Sequence, residues 1–69
     1  MKMYEEKNFT PFQLRQKRIE KLKEIYEANK DKDPIILGNL FRNFLVLEGL
    51  RNLTIDSYME YMKAWIATQ

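Results

Sequence analysis

Asn29-Lys30-Asp31-Lys32-Asp33-Pro34 is the polar stretch that separates two segments with helical patterns. The residue before a proline is biased away from helical geometry, so the upstream helix ends within this run. Asp33 has a side chain suited to the N-cap of a helix, and Pro34 suits the first helical position. The stretch therefore predicts a turn followed by the start of a second helix.

Upstream of this turn, Thr10-Pro11-Phe12-Gln13 carries three helix-start signals. Thr10 suits an N-cap, Pro11 suits the first helical position, and Gln13 is placed to complete a capping box. The apolar residues that follow recur at helical spacing and predict one buried stripe: Phe12, Ile19, Leu22 and Tyr26, with Leu14 and Ile25 beside them. Helix one is therefore expected from residue 11 to the polar run.

Downstream of the turn, the segment from Ile35 to Leu47 has apolar residues on most sides of a helix. Its narrow polar strip consists of Gly38, Asn39, Arg42 and Asn43. A helix of this kind is expected in the middle of a fold. Gly49 follows as the natural left-handed residue beyond the helix end, so the chain is expected to turn there.

A third helix is predicted from about Leu53 to the end of the sequence, with either Asn52 or Thr54 as its N-cap. Its apolar residues repeat at three and four positions: Ile55, Tyr58, Met59, Met62, Trp65 and Ile66. No alternating pattern supports a strand. The sequence thus predicts an all-α, three-helix, helix-turn-helix-like bundle over residues 10–69, preceded by a flexible arm at residues 1–9.

The chain has 69 residues, with no cysteine and no histidine. A core of this size barely offsets the conformational entropy of ordering the chain, so a homodimer is expected. The missing residue types exclude disulfides, a conventional zinc site, and thiol or imidazole catalysis. We expect a protein that is not an enzyme and holds no metal or cofactor.

Membrane insertion is not expected from the sequence. The longest apolar run, Phe44-Leu45-Val46-Leu47, is far shorter than the roughly 20 residues that span a bilayer. The first seven residues include acids where a signal peptide would have an apolar segment. A cytoplasmic location is therefore expected.

A basic segment covers residues 10–23, although the net charge of the whole chain is only +2. Its bases are Arg15, Lys17, Arg18, Lys21 and Lys23, and its one acid is Glu20. Such a segment suits a polyanion such as nucleic acid, and it equally describes the solvated face of a helix. Both interpretations stay open at the level of sequence.

The stretch from Gly49 to Tyr58 (Gly-Leu-Arg-Asn-Leu-Thr-Ile-Asp-Ser-Tyr) resembles the turn and early recognition helix of helix-turn-helix DNA-binding domains. The resemblance implies that Gly49 makes the tight turn and that Leu50 fills the angle between the helices. It also implies that Ile55 and Tyr58 anchor the third helix on the core. The outward residues of this helix would then face the major groove of DNA.

Four residues depart from that family pattern. Leu45 occupies a position where the family has a small residue, and Glu48 occupies one that is usually apolar. Asp56 and Glu60 lie on the face that would meet DNA, where phosphates repel carboxylates.

Residues 40–66 are also similar to the first two helices of the core-binding domain of tyrosine recombinases. The shared features are Phe44-Leu45, then Glu48-Gly49-Leu50, then Thr54-Ile55 and Tyr58. In this pattern Glu48 is an expected residue. The resemblance implies a DNA-binding piece without the catalytic domain.

Together these resemblances lead us to expect a small DNA-binding protein that acts as a transcriptional regulator or accessory factor on double-stranded DNA. The residues expected near the bases are Arg51, Asn52, Leu53 and Ser57. Those expected to contact the phosphate backbone are Arg15, Lys17, Arg18 and Lys21.

The alternative is an ordinary helical hairpin in a non-catalytic protein-protein interaction or assembly module, such as a dimeric bundle. In that case Gly49 is a plain C-cap residue. Met59, Met62 and Trp65 are then the candidate partner interface, although methionine and tryptophan at helical spacing are also common in cores.

Overall fold

The structure is a computed structural model that describes residues 10–69, so the predicted flexible arm at residues 1–9 lies outside the described residues. The described part contains three helices and no strand: α1 (Pro11–Asn29), α2 (Pro34–Leu47) and α3 (Asn52–Ile66). The all-α, three-helix prediction is confirmed.

The starts of α1 and α2 match the sequence signals. The backbone N–H of Gln13 donates to Thr10 Oγ1 at 3.1 Å, and the backbone N–H of Thr10 donates to Gln13 Oε1 at 2.9 Å, which forms the predicted capping box. At α2, the backbone N–H of Ile35 donates to Asp33 Oδ1 at 2.8 Å. Local hydrogen bonds therefore determine where both helices begin.

The turn between α2 and α3 contains Gly49 with a φ of +80°, as predicted. The predicted caps of α3 were wrong. The helix begins at Asn52, and its N-cap is Arg51, which has extended backbone and makes no side-chain capping hydrogen bond. Asn52 lies inside the first turn, and Thr54 lies deeper still, because the tight Gly49 turn starts the helix earlier than expected.

The three helices pack with α1 and α3 pointing in the same direction. Arg15 lies over the ring of Tyr58, and Lys23 lies over the ring of Trp65, so the residue numbers of α1 and α3 increase in the same direction along this contact. Helix α2 is joined to the others by two short turns and runs in the opposite direction. Each helix contacts both of the others.

The core is formed by buried side chains from all three helices: Ile19, Leu22, Leu37, Phe41, Phe44, Leu45, Ile55, Tyr58 and Met62. The predicted stripe of α1 was wrong at Phe12, which is 60% exposed. Phe12 lies in the first turn of α1, beyond the part of the helix that the core covers.

The prediction that α2 lies in the middle of the fold holds in part, because α2 contributes four of the nine buried core side chains and packs against both other helices. On the side of α2 that faces neither α1 nor α3, Ile35, Ile36, Val46 and Leu47 are exposed. Asn39, Arg42 and Asn43 lie on this same outer side, whereas Gly38 is half-buried towards α3. Within residues 10–69, no helix combines the length and apolar character that a bilayer span requires.

Candidate functional site

The four residues expected near DNA bases lie together at the start of α3. Arg51, Asn52, Leu53 and Ser57 are all exposed, and Leu53, at 78%, is the most exposed large apolar side chain among residues 10–69. Ser57 Oγ donates to the backbone carbonyl of Leu53 at 3.2 Å, which orients this hydroxyl along the helix. The turn and the first two turns of α3 thus form one exposed surface.

Acidic residues share that surface. Asp56 and Glu60 are exposed on the outer side of α3. Arg42 of α2 reaches Asp56, with Nη2 lying 3.4 Å from Oδ1. Arg42 offsets one carboxylate, and among the described residues the two acids of this surface, Asp56 and Glu60, balance Arg42 and Arg51.

The basic segment of α1 does not form a single surface row. Arg18 is 8% exposed, and its Nε donates to Glu48 Oε1 at 3.2 Å, where Glu48 is only 2% exposed. Glu48 is the C-cap residue of α2, so the pair joins the middle of α1 to the end of α2. The unusual glutamate before Gly49 therefore has a structural partner within the chain.

Two further bases of α1 lie against aromatic rings of α3. The Arg15 guanidinium carbon lies 5.3 Å from the centre of the Tyr58 ring and 5.9 Å from that of Tyr61. Lys23 Nζ lies 5.1 Å from the centre of the Trp65 ring. These distances are typical of cation–π contacts, so both bases stabilise the α1–α3 contact.

The remaining bases of the segment lie on other sides of α1. Lys17 is exposed, and the half-buried Lys21 places its Nζ 3.8 Å from Glu24 Oε1. Lys21 is three residues beyond Arg18 and so shares the side of α1 that faces α2. The four residues expected to bind phosphate are thus divided between the α2 side, the α3 side and the outer side of α1.

The candidate partner-interface residues are also divided. Met62 is fully buried, and Met59 is half-buried beside it. Trp65 lies on the α1 side of α3, where its ring meets Tyr26 edge to face at 5.3 Å between ring centres. Of these three candidate residues, only Met59 and Met62 line the same concave surface.

That concave surface is a groove of about 490 Å³ between the end of α1, the first half of α2 and the second half of α3. We call it the methionine groove. It is lined by Tyr26, Lys30, Lys32, Pro34, Leu37, Gly38, Phe41, Met59, Glu60, Met62, Lys63 and Ile66. Most of these side chains are apolar, and its volume is in the range of clefts that bind ligands.

Gly38 lies in the wall of this groove and is not explained by the chain's own packing. Its φ is not positive, and a Cβ built on it would lie 4.0 Å from Met59 Cε, which is ordinary van der Waals contact. Glycine inside a helix costs about 0.5–1 kcal/mol relative to alanine. Among residues 10–69, neither the backbone conformation nor a close contact requires glycine here, and no side chain from this position extends into the groove.

Sequence reasoning did not identify the groove. Gly38 in the middle of an apolar helix was the available signal, because glycine lowers the stability of a helix interior and leaves a gap in the helix surface. The lysines before Pro34 were assigned only to a turn, and their position beside α3 depends on how the helices pack.

No protein-family model matches the chain, and no curated protein or solved structure is detectably similar to it. Among residues 10–69, no group of three or more acidic, histidine or cysteine side chains is placed to hold a metal ion.

Proposed function

We propose that this protein is a non-catalytic interaction module that binds a helical segment of a partner protein in the methionine groove. The groove carries the proposal because it combines an apolar lining with Gly38, a glycine that the chain's own packing does not require. Insertion of an amphipathic helix into an apolar groove is a common mode of peptide recognition.

The lining suits a protein partner in a second respect. Met59 is half-buried, and its flexible, polarizable side chain can adapt to the shape of an incoming apolar residue. Leu37, Phe41 and Met62 are buried core residues that also line the groove, so the core of the chain holds these parts of the lining in place. Methionine side chains that can re-pack are typical of surfaces that accept more than one partner.

The test is a selection from a displayed library of short amphipathic peptides, followed by nuclear magnetic resonance of the full chain with methyl-labelled methionine. We expect selected peptides to shift the methyl signals of Met59 and Met62 and to leave the backbone amide signal of Phe12 nearly unchanged. Phe12 is the internal reference, because it lies in the first turn of α1 and does not line the groove.

Gly38→Leu is the decisive variant, because its side chain would occupy the groove. Asn39→Leu is the matched control, since it adds the same side chain on the exposed side of the same helix. We expect Gly38→Leu alone to abolish peptide binding, with both variants retaining their helical circular dichroism. Equal binding by the two folded variants would refute the proposal.

A second proposal is binding of double-stranded DNA by a small regulator or accessory factor. The exposed cluster of Arg51, Asn52, Leu53 and Ser57 supports it, because these side chains share one surface at a helix-glycine-helix corner. The divided basic segment and the exposed acids of α3 lower the expected affinity.

A mixed-sequence duplex, titrated at low and moderate salt, tests the DNA proposal, and light scattering on the same sample tests the predicted homodimer. Salt-sensitive binding that Arg51→Glu abolishes and Lys63→Glu retains would support a contact through the start of α3. Absence of binding at low salt would eliminate it.

A further inference from the structure

We infer that the occupant of the methionine groove is an amphipathic helix of a partner protein with acidic residues along the borders of its apolar face and a small residue opposite Gly38. This inference rests on the proposed function and adds the chemical character of the partner. Its support comes from the charges at the groove, from a second hollow of opposite charge, and from the size of Gly38.

The charges that line the groove are mainly positive. Lys30, Lys32 and Lys63 line it together with a single acid, Glu60. Lys30 Nζ lies 3.3 Å from Glu27 Oε1, whereas within residues 10–69 neither Lys32 nor Lys63 forms an ion pair with a carboxylate. Two lysines at the edge of an apolar groove are thus available to carboxylates of a partner.

A second hollow on the α1–α3 side has the opposite formal charge, although two of its glutamates, Glu24 and Glu27, are paired with Lys21 and Lys30. Its lining contains three glutamates and one lysine beside the Trp65 ring: Glu20, Lys23, Glu24, Glu27, Ala28 and Trp65. An acidic helix is repelled there and attracted to the methionine groove. The sign of a partner's charge therefore determines which of the two hollows it prefers.

Gly38 adds a steric requirement. Helices pack with their axes about 8–10 Å apart, and the distance depends on the side chains at the contact. Because Gly38 presents no side chain towards the groove, an occupying helix with alanine or glycine at the crossing point can approach to the short end of this range. A large residue at that position would hold the helix away from Met59 and the lysines.

The experiment uses two synthetic peptides and the full chain. The first is an amphipathic helix with leucines on one face, a central alanine and glutamates on both borders, and the second is identical except that lysines replace the glutamates. Fluorescence anisotropy at low and moderate salt measures both affinities. We expect the acidic peptide to bind about tenfold more tightly at low salt, and the difference to shrink as salt increases.

Charge reversal provides a rescue. The double variant Lys32→Glu with Lys63→Glu is expected to prefer the lysine peptide, because both residues are exposed and their replacement leaves the core unchanged. The double variant Lys17→Glu with Arg51→Glu is the matched control, since it changes the net charge equally away from the groove. It should retain the preference for the acidic peptide.

The outcomes separate this inference from the proposed function. If both peptides bind equally and Gly38→Leu abolishes binding, the groove is a docking site but its occupant is not selected by charge, and the inference fails alone. If neither peptide binds and light scattering gives a dimer that Gly38→Leu dissociates, a second copy of the chain is the occupant and the inference is overturned. If the library selection also yields no peptide that shifts Met59, both fail.

Discussion

The two halves of α2 differ in how the rest of the chain covers them. Around its C-terminal half, Phe44 and Leu45 are buried, Glu48 is paired with Arg18, and Gly49 turns the chain with a φ of +80°. Around its N-terminal half, α1 and α3 leave a groove beside Gly38. The C-terminal half is thus joined to the rest of the chain by an ion pair and a turn, whereas beside the N-terminal half, where Leu37 and Phe41 are also buried, the described helices leave a groove.

The two glycines also differ, in whether the structure of the chain requires a glycine at that position. Gly49 is required by its backbone conformation, which other residues adopt only with strain. Gly38 has an ordinary helical backbone and no close neighbour that excludes a side chain. Replacement of a glycine of the second kind with alanine is a common way to raise the stability of a protein.

The largest expected effect comes from breaking the buried ion pair. Glu48→Ala removes the carboxylate that accepts the hydrogen bond of the buried Arg18 Nε, and breaking a buried pair costs up to about 3–5 kcal/mol. Cores of this size contribute about the same free energy, so we expect a strongly lowered midpoint of urea denaturation, followed by circular dichroism.

The double variant Arg18→Met with Glu48→Leu is the control for this prediction. It replaces both charges with apolar side chains, and we expect it to be clearly more stable than Glu48→Ala in urea denaturation. If Glu48→Ala unfolds at the wild-type urea midpoint, the pair does not hold the two helices together.

The second effect is strain at the turn. Gly49→Ala should reduce the free energy of unfolding by about 1–2 kcal/mol, because a Cβ disfavours the left-handed conformation. Apart from the neighbouring residues in the chain, no heavy atom of residues 10–69 lies within 4 Å of the Cβ position, so backbone strain causes the loss. Gly49→Asn should lose less, since asparagine tolerates this conformation. Equal losses for the two variants in urea denaturation would contradict this explanation.

The third expected effect is an increase in the free energy of unfolding, whereas the first two are decreases. Gly38→Ala should raise the free energy of unfolding by about 0.5–1 kcal/mol, because alanine favours the helix and its Cβ fits at 4.0 Å from Met59 Cε. The measurement is the same urea denaturation. A destabilised Gly38→Ala variant would show that the wild-type chain itself needs glycine there. The proposal that the methionine groove is a docking site would then lose its main support.

The smallest effect is expected at the exposed ion pair. Arg42 and Asp56 have side chains that are 46% and 61% exposed, and solvent screens such pairs. Arg42→Ala should therefore change the free energy of unfolding by less than about 0.5 kcal/mol. A loss comparable to that of Glu48→Ala would remove the distinction between the buried pair and the surface pair.

Local signals explain what could be predicted of the fold. Thr10 with Gln13, Asp33 with Pro34, and Gly49 each act through hydrogen bonds or backbone conformations within a few residues, so their effects are visible in the sequence. The predicted caps of α3 failed because the turn at Gly49 left Arg51 in the capping position without a side-chain hydrogen bond.

The candidate site could be predicted only in part. Met59 and Met62 were recognised as possible interface residues, but Trp65 was grouped with them although it packs against Tyr26 on another side of α3. Helical spacing shows that residues share a broad stripe, and it does not show which neighbouring helix each of them meets.

By itself the sequence determined three helices, their approximate bounds and the left-handed turn, because these depend on interactions between residues close in the chain. Only the tertiary structure decided that Arg18 pairs with Glu48 across 30 residues and that Lys63 joins Lys30 and Lys32 around one groove. The physical reason is that burial and charge at these positions depend on how the helices pack, which no local pattern specifies.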